Sequence, residues 1–368
     1  MIQQMHPEII REALKKNKVK SENYKGLEYL RFTDDFHDIP RGTAIFKSNV
    51  IWGYPHIGRI FQLSTGIREQ FSQPFYIEEK VDGYNTRIFL LEGQILALSR
   101  GGYVCPFTTE RVLEFINPKF FEDNPNLILC AEVAGPENPY VDEHPPYITE
   151  DIKIFVFDIM KKNSREFLPY SEKERLIEKY RLPSVERFGR FTPDDVEDIK
   201  KLLKRLNDEG REGVVFKEDS ERNKRVKYVT LYSSLKDIEI TSINLLGLPP
   251  DYFTNRLLRL ALFMEEEDIS ADQELFLSVG KAFLEGLLKA IELYKRERRV
   301  YRTFRCRFKT RENALLFIEN IKHTSSQIQV IERGLRKEGD FWILEFDRVY
   351  LNMTGLLGHL LAGGSIFD

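Results

Sequence analysis

Hydrophobic and polar positions follow a strand-like pattern over the middle of the 368-residue chain. From about residue 65 to 236, short apolar or alternating runs are separated by turn residues, which predicts β-strands. The runs are FYIEEKV, TRIFLL, QILALSR, LILCAEVAG, IKIFVFDIM, EGVVFK and RVKYVTL. The Glu92-Gly93 step between the second and third runs predicts a β-hairpin. In IKIFVFDIM, simple alternation predicts that Phe155, Phe157 and Ile159 share one face of a strand.

Further along the chain the apolar residues recur at spacings of about three and four, which predicts amphipathic helices. The residues that carry this period are Leu257, Leu258, Ala261, Leu262, Phe276, Phe283, Leu287 and Leu288. The many Leu and Phe residues between Asp251 and Tyr294 leave a dimer face open as an alternative to a purely internal packing role.

The changes of pattern predict four regions. Residues 1–64 form an N-terminal α+β extension, which begins with an amphipathic helix and turns strand-like in GTAIFKSNVIWGYPHIGRIFQL. Residues 65–236 form the strand-rich domain, residues 237–299 a helical region and residues 300–368 a C-terminal α+β domain. A chain of this length exceeds what one hydrophobic core usually supports, so more than one domain is expected.

Composition excludes several classes of protein. Lys and Arg total 55 against 58 for Asp and Glu, so no global positive field attracts a polyanion and nucleic-acid binding requires local patches. Cys105, Cys130 and Cys306 lack the spacing of a zinc site or a disulfide framework. The N-terminal segment lacks the uninterrupted apolar core of a signal peptide or membrane span. We therefore expect a cytoplasmic protein with no membrane partner.

Residues that could take part in binding or catalysis occur in a fixed order on successive predicted strands. Lys80 begins a Lys-Val-Asp-Gly sequence, which on its own occurs easily by chance. The complete ordered set is far more specific. It comprises Lys80, Arg100, Glu132, the Phe157-Asp158 pair, the Glu212-Gly213 pair, Arg225 and Lys227.

This set resembles the motifs of covalent nucleotidyltransferases, the superfamily of ATP-dependent polynucleotide ligases and mRNA capping enzymes. EKVDGYN resembles the nucleophile motif, LSR the arginine motif, AEVAG and FVFDI the two middle motifs, EGVVFK the acidic motif and RVKYV the final basic motif. The motifs cover about residues 80 to 230. Asn85, the chain length and the helices after the catalytic region are most similar to the archaeal homodimeric ATP-dependent RNA ligases.

The resemblance implies an α+β nucleotidyltransferase (ATP-grasp-like adenylation) fold of antiparallel sheets with flanking helices. It also implies that Lys80 attacks the α-phosphorus of ATP and carries AMP as a lysyl-N-AMP adduct. An ordinary lysine with a pKa of about 10.4 is protonated at neutral pH, whereas the nucleophile must be neutral. We therefore expect burial, the cations Arg225 and Lys227, and a bound Mg²⁺ to lower the pKa of Lys80.

The other motif positions acquire roles from the same resemblance. Phe157 would stack on adenine, and Glu78 would contact the exocyclic amine or its neighbourhood. Arg100 and Glu132 would bind the ribose hydroxyls, and Glu212 would hold water on a catalytic Mg²⁺ or Mn²⁺. Arg225 and Lys227 would bind the α-phosphate, assisted by Lys217 or Asn85. We favour Lys227 over Arg225, because relatives often carry two lysines in the last motif.

Simpler readings exist for each residue taken alone. An isolated lysine at a strand end is usually solvated, Phe157 could be core, and the carboxylates could form structural ion pairs. The basic stretch from Leu293 to Arg311 could follow a nucleic-acid backbone with Tyr301 and Phe304 stacking on bases, or could be a solvated helix end and a charged edge strand.

The sequence thus predicts an ATP-dependent RNA ligase that acts on single-stranded RNA with a 5′-phosphate, with single-stranded DNA as an alternative substrate, and that forms a homodimer. A DNA ligase, a capping-type guanylyltransferase and a catalytically silent RNA-binding protein are the alternatives. Helices, rather than an oligonucleotide-binding barrel, are expected after Lys227, which disfavours the capping enzyme.

Overall fold

The computed structural model describes residues 7–220, 224–249, 251–270, 273–322 and 327–366. The first six residues of the predicted N-terminal helix lie outside these ranges. The strands are β1 (Val19–Tyr24), β2 (Leu27–Phe32), β3 (Ala44–Phe46), β4 (Asn49–Ile51), β5 (Gly58–Arg59), β6 (Phe75–Lys80), β7 (Tyr84–Leu91), β8 (Gln94–Ser99), β9 (Leu127–Ala134), β10 (Lys153–Lys161), β11 (Arg187–Phe191), β12 (Gly213–Glu218), β13 (Arg225–Val229), β14 (Tyr301–Phe308), β15 (Ile328–Glu338) and β16 (Phe341–Tyr350).

The helices are α1 (Pro7–Lys15), α2 (Leu63–Gln70), α3 (Pro106–Arg111), α4 (Lys119–Asp123), α5 (Tyr170–Tyr180), α6 (Val196–Asp208), α7 (Leu231–Thr241), α8 (Asp251–Glu266), α9 (Gln273–Glu297), α10 (Arg311–Lys322) and α11 (Leu351–Leu361). Two short 3₁₀ helices span Val112–Glu114 and Ser242–Gly247. No helix in the described part of the chain is long and apolar enough to cross a membrane.

Within the described ranges the strands form four sheets, and their orders are β1-β2-β3-β4, β10-β9-β7-β8, β11-β6-β12-β13-β5 and β14-β16-β15. The second and third sheets contain the predicted strands of the middle region. All pairings in them are antiparallel except that of β5, which lies parallel to β13. The N-terminal segment therefore supplies an edge strand to the sheet that contains Lys80.

The predicted hairpin joins β7 to β8. Leu91 pairs with Gln94, and the two residues between them have positive φ angles, 47° at Glu92 and 79° at Gly93. Both central residues of a type I′ hairpin turn require positive φ, which glycine adopts without strain. The hairpin prediction is confirmed.

A β-bulge in β10 makes the predicted alternation of this strand wrong. Val156 pairs with Ala131 and Asp158 with the adjacent Cys130, so Phe157 is an extra residue without a partner on β9. The bulge reverses the faces that follow it. Phe157 stays on the side of Phe155, whereas Ile159 joins the opposite core.

The strand-rich region also contains two helices, α5 and α6, that its pattern of apolar runs did not predict. The segments that form α5 and α6 are rich in charged residues, and only one side of each helix is buried. Leu176 and Ile177 of α5 join the core of the β10-β9-β7-β8 sheet, while Ile199 and Leu203 of α6 join the core beneath the sheet of β6. Each helix therefore covers a different sheet.

The C-terminal residues form helices followed by a small sheet. Helices α7, α8 and α9 pack on one another, and β14, β16 and β15 form an antiparallel sheet with α10 and α11. Tyr301 and Phe304 are buried, and Phe304 stacks on Phe346. Their rings therefore cannot stack on nucleic-acid bases in this conformation, which favours the structural reading of the basic stretch.

Candidate active site

A cavity of about 370 Å³ opens against the strands of two sheets, those of β7 and β9 and those of β6, β12 and β13. Its walls include eight of the ten predicted site residues: Glu78, Lys80, Asn85, Arg100, Glu132, Phe157, Lys217 and Lys227. Glu212 lines an adjoining cavity of about 560 Å³, and Glu79 and Lys80 belong to both. Lys80 therefore stands where the two cavities meet.

Neighbouring backbone lies so close to two positions near Lys80, Gly83 and Gly213, that only glycine fits there. Lys80 is the last residue of β6, and its cross-strand partner is Gly213, whose φ angle is 149°. A Cβ atom on Gly213 would lie 2.2 Å from the carbonyl oxygen of Tyr228, and one on Gly83 would lie 2.4 Å from that of Val133. A side chain at either position would force the strands that hold Lys80 apart.

The Lys80 ammonium forms an ion pair with the Glu212 carboxylate. Burial alone would lower the pKa of Lys80, but Glu212, Glu132 and Asp82 together raise it above its ordinary value. The protein's own carboxylates therefore favour the ammonium form of Lys80, and Arg225 is paired with Asp158 instead of acting on it. The depressed pKa expected with ATP and Mg²⁺ bound stays a prediction.

Glu132 lines the 370 Å³ cavity and Glu212 the adjoining one, and both act on the charge of Lys80. Burial raises the pKa of Glu132 to about 8 and that of Glu212 to about 7, although Lys80 opposes both shifts. Oε2 of Glu212 is buried without a hydrogen-bond partner in the described part of the chain.

These carboxylates suit a metal that a substrate also binds. No group of three or more His, Cys, Asp or Glu side chains among the described residues could hold a metal ion. Mg²⁺ is commonly bound by one or two carboxylates together with substrate phosphates rather than by an all-protein cage. The donor set therefore fits a Mg²⁺ or Mn²⁺ ion that arrives with a nucleotide.

At the other side of the cavity, Glu78 is held by two lysines. Its carboxylate forms an ion pair with Lys173 of α5 and another, at 2.6 Å, with Lys217 of β12. Lys217 also lies 3.2 Å from Asp158 and donates a 2.6 Å hydrogen bond to the carbonyl of Phe157. These contacts fix the positions of Glu78 and of the backbone that carries Phe157.

The Arg225 side chain points to Asp158, the carboxylate that also contacts Lys217, and does not line the 370 Å³ cavity. Its Nε lies 3.0 Å from Oδ2 of Asp158, and its guanidinium stacks 3.9 Å from the centre of the Phe167 ring. Tyr54 donates a 2.6 Å hydrogen bond to the same Asp158 carboxylate. The α-phosphate role predicted for Arg225 thus has no geometric support, because Asp158 already occupies its guanidinium.

Lys227 differs from Arg225 although only one residue separates them on β13. Its side chain lines the cavity, and in the described part of the chain it forms no ion pair or side-chain hydrogen bond. Burial lowers the pKa of Lys227 to about 8, and the neighbouring cations Arg59 and Lys80 add to the shift. An anion that binds beside such a partly buried, uncompensated ammonium stabilises its charged form.

The remaining predicted residues lie on the walls nearer the other sheet. Asn85 and Glu132 are cross-strand partners on β7 and β9, and Oδ1 of Asn85 is buried without a hydrogen-bond partner among the described residues. The ring of Phe157 meets that of Tyr54 edge to face, with centroids 5.4 Å apart. Arg100 is exposed at the rim, where its Nη2 lies 3.1 Å from Nδ1 of His56.

Sequence reasoning missed three residues that the structure brings to this region. Tyr54 lines the cavity, Lys173 binds Glu78, and Arg59 is the partner of Lys227 on β5. Lys173 lies in a charge-rich segment that reads as a solvated helix. Tyr54 and Arg59 lie in the extension, where no motif singled them out.

Comparisons with known proteins agree with this architecture. A family model described as RNA ligase matches residues 73–229, and a model described as the ligase Pab1020 C-terminal region matches residues 240–364. An uncharacterized protein of Methanocaldococcus jannaschii is 30% identical over 341 residues, which cover 90% of this chain and 86% of the relative.

Solved structures extend the similarity to the whole fold. A structure named "Putative ATP-dependent DNA ligase from Aquifex aeolicus" is 60% identical, with a TM-score of 0.95 over 98% of this chain and 100% of the other. Two forms of an archaeal ATP-dependent RNA ligase are 28% identical, with TM-scores of 0.89 over 97% of this chain and 96% of theirs. The predicted α+β nucleotidyltransferase fold is confirmed, and the chain belongs to the Pab1020-type family of ATP-dependent RNA ligases.

Proposed function

We propose that this protein joins RNA ends in three steps: adenylylation of Lys80 by ATP, transfer of AMP to an RNA 5′-phosphate, and displacement of AMP by a 3′-hydroxyl. The observation that carries the proposal is the position of Lys80 at the junction of two cavities, paired with Glu212 and under the charge of Glu132. One cavity has the apolar and polar walls that a nucleotide requires. The other provides a route for a second substrate or a leaving group.

In the first step, the Lys80 nitrogen forms a bond to the α-phosphorus, and the bond between that phosphorus and the bridging oxygen of pyrophosphate breaks. The ammonium must first lose a proton. Glu212 is in contact with it and has a pKa of about 7, so it is the nearest group that can accept this proton. Since the neighbouring carboxylates raise the pKa of Lys80, nucleotide binding must weaken its ion pair with Glu212 before attack.

A divalent ion would be held by Glu212 together with phosphate oxygens, and would neutralise charge on the reacting phosphate. Lys227 would bind the α-phosphate, since its ammonium lines the cavity without a counter-ion in the described part of the chain. Arg225 is left out of this assignment. Lys217 and Asn85 remain candidates to assist through the polar atoms they bring to the cavity wall.

The adenosine part of ATP would occupy the 370 Å³ cavity. Phe157 would stack on the base, and Glu78, as a hydrogen-bond acceptor, would favour the exocyclic amine of adenine over the carbonyl oxygen of guanine. Arg100 and Glu132 would bind the ribose hydroxyls. We expect α-labelled ATP to label the protein and α-labelled GTP to fail. Efficient covalent labelling by GTP would instead favour a capping-type activity.

Replacement of the nucleophile tests the mechanism. Lys80→Ala should lose labelling by ATP and joining of 5′-phosphorylated RNA, because both require the lysyl adduct. RNA that is already adenylylated at its 5′ end bypasses Lys80, so the variant should still seal it measurably without ATP. A Lys80→Ala protein that still became labelled would show that another lysine is the nucleophile.

A DNA ligase is the second candidate, because the 60% identical relative carries that name. Sealing of 5′-phosphorylated RNA and DNA strands of equal sequence distinguishes the two. We expect faster sealing of RNA. Joining of DNA alone would overturn the RNA assignment and leave the lysyl-AMP chemistry intact.

We also propose that the protein is a homodimer through α9. This helix exposes large apolar side chains at Phe276, Leu277, Leu284 and Leu288, each with 59% to 64% of its surface exposed. An apolar stripe of this kind is costly to leave in water and suits a self-complementary interface. Light scattering should give twice the chain mass at micromolar concentration, and Leu284→Glu with Leu288→Glu should give monomers. A monomeric mass for the unmodified protein would refute the dimer.

A further inference from the structure

A row of four side chains crosses the sheet of β6 on the cavity side. Glu78 pairs with Val215, Val215 with Lys227, and Lys227 with Arg59. Directly paired residues on neighbouring strands project to the same face of a sheet. The first three line the cavity, so Arg59 continues this wall outward beyond Lys227.

Arg59 resembles Lys227 in having no counter-ion. Neither side chain forms an ion pair or a side-chain hydrogen bond among the described residues, although both are partly buried. Burial lowers the pKa of the Arg59 guanidinium, and Glu212 and Asp237 oppose that shift from a distance. Two adjacent buried cations repel each other, and an anion between them would relieve both the repulsion and the lost hydration.

Helix α8 closes the other side of Arg59 with further arginines. Arg256 and Arg259 both act on the charge of Arg59, but they are satisfied by Asp237, at 2.6 Å and 3.4 Å. The positive charges of Arg256 and Arg259 would therefore attract an anion to this place. The hydrogen-bond donors of Arg59 would be available to bind that anion. A guanidinium binds phosphate through two parallel hydrogen bonds.

We infer that Arg59 and Lys227 form a phosphate clamp, in which Arg59 binds the phosphate group next to the α-phosphate held by Lys227. This assignment rests on the proposed function for the identity of the α-phosphate. Two phosphates have the required chemistry and position: the pyrophosphate part of ATP during adenylylation, and the 5′-phosphate of RNA during AMP transfer. The extension at residues 1–64 thereby contributes a substrate-binding residue through β5.

The test compares Arg59→Ala and Arg59→Lys with Arg190→Ala, a control that removes an exposed arginine from β11, at the opposite edge of the same sheet. Three rates are measured: lysyl-AMP formation against ATP concentration, AMP transfer from pre-labelled protein to 5′-phosphorylated RNA, and sealing of pre-adenylylated RNA. The third rate normalises the others for general damage to the site. Loss of a charge-assisted hydrogen bond to phosphate should cost Arg59→Ala about 10- to 100-fold in one normalised rate.

The affected rate identifies the ligand. A raised KM for ATP assigns Arg59 to the pyrophosphate part, and slowed transfer assigns it to the RNA 5′-phosphate. Arg59→Lys should recover part of the loss because it keeps the charge, and Arg190→Ala should match the unmodified protein. Equal loss in all three rates, or no loss in the first two, overturns the clamp.

A binding measurement separates this inference from the proposed function. Inorganic pyrophosphate should raise the thermal unfolding midpoint of the unmodified protein more than that of Arg59→Ala if Arg59 binds the leaving group. An unmodified protein that ATP fails to label refutes the proposed function, whereas the pyrophosphate comparison still reports on Arg59. Equal stabilisation of the two proteins, together with unchanged AMP transfer to RNA, overturns the inference.

Discussion

Two groups of cations lie around the same cavity, and they differ in how their charges are balanced. Lys173, Lys217 and Arg225 are buried against the carboxylates of Glu78 and Asp158. Lys227 and Arg59 have no such partners in the described part of the chain. The positive charges of the first group are therefore compensated by carboxylates when the protein folds. Those of the second group can be compensated by an anionic ligand. Position in a motif does not separate the two groups, since Arg225 and Lys227 belong to the same short segment.

The largest expected effect is a loss of stability when a carboxylate that balances the first group of cations is replaced. Asp158→Asn would leave Lys217 and Arg225 with reduced compensation in a buried site, which typically costs about 3 to 5 kcal/mol of unfolding free energy. Chemical denaturation followed by circular dichroism measures the loss. Asp198→Asn, which alters an exposed pair with Lys201, should change stability by less than about 1 kcal/mol. Equal stability of the two variants would contradict the structural role of the Asp158 network.

The second prediction concerns the unbalanced group. Lys227→Ala should slow lysyl-AMP formation by about 100-fold or more, because it removes an electrostatic contact to the reacting phosphate. Its denaturation midpoint should stay close to that of the unmodified protein, since no folded-state ion pair is lost. Arg225→Ala should behave in the opposite way and lose stability through Asp158. A Lys227→Ala protein with full activity would remove this residue from the site.

The third prediction uses Glu212, which forms an ion pair with Lys80, the proposed nucleophile. Glu212→Gln should lower the pKa of Lys80 relative to the unmodified protein, because Glu212 is the carboxylate that raises it most. At about pH 8 the amine should react several-fold faster with acetic anhydride, measured at residue 80 by mass spectrometry. Lysyl-AMP formation should nevertheless fall by about 100-fold with the loss of the metal carboxylate.

The control for that experiment is Glu197→Gln, which changes an exposed carboxylate of α6. Its Lys80 reactivity and adenylylation rate should match those of the unmodified protein. Slower acetylation of Lys80 in Glu212→Gln would show that the ion pair does not hold the proton on the amine.

The smallest effect is a dependence of ATP binding on pH. Since the pKa of Lys227 is about 8, its charge is present below that pH and is lost above it. The KM for ATP should therefore rise several-fold between about pH 7 and about pH 9. Lys227→Arg stays charged throughout this range, so its KM should vary less. Parallel pH profiles for the two proteins would show that Lys227 does not titrate in the ATP site.

The sequence could predict most of the strands because alternation and turn residues are short-range signals, as at the Glu92-Gly93 hairpin. Most of the cavity wall was predicted instead from the resemblance of the ordered motifs to a known family. The bulge at Phe157 could not be read in this way, since inserting one unpaired residue leaves no local signal in an apolar strand.

The balance of charge could not be predicted from local sequence rules either, because most of the partners come from distant segments. Lys173 reaches Glu78 from a helix that reads as solvated, and Asp158 takes Arg225 away from the cavity. Of the three carboxylates that raise the pKa of Lys80, Asp82 is close in sequence, whereas Glu132 and Glu212 are distant. Spacing along the sequence carries no information on such distances.

The parallel pairing of β5 with β13 also constrains the order in which the protein can fold. Gly58 and Arg59 leave the ribosome early, but their partners Val226 and Lys227 are made only after the nucleophile strand and most of the sheet. Closing so long a loop is entropically costly and tends to occur late. In a nascent chain that ends shortly after Lys80, this proposed nucleophile therefore lacks Lys227, and Arg59 has no strand to pair with. We expect adenylylation to begin only after β13 has docked against β5.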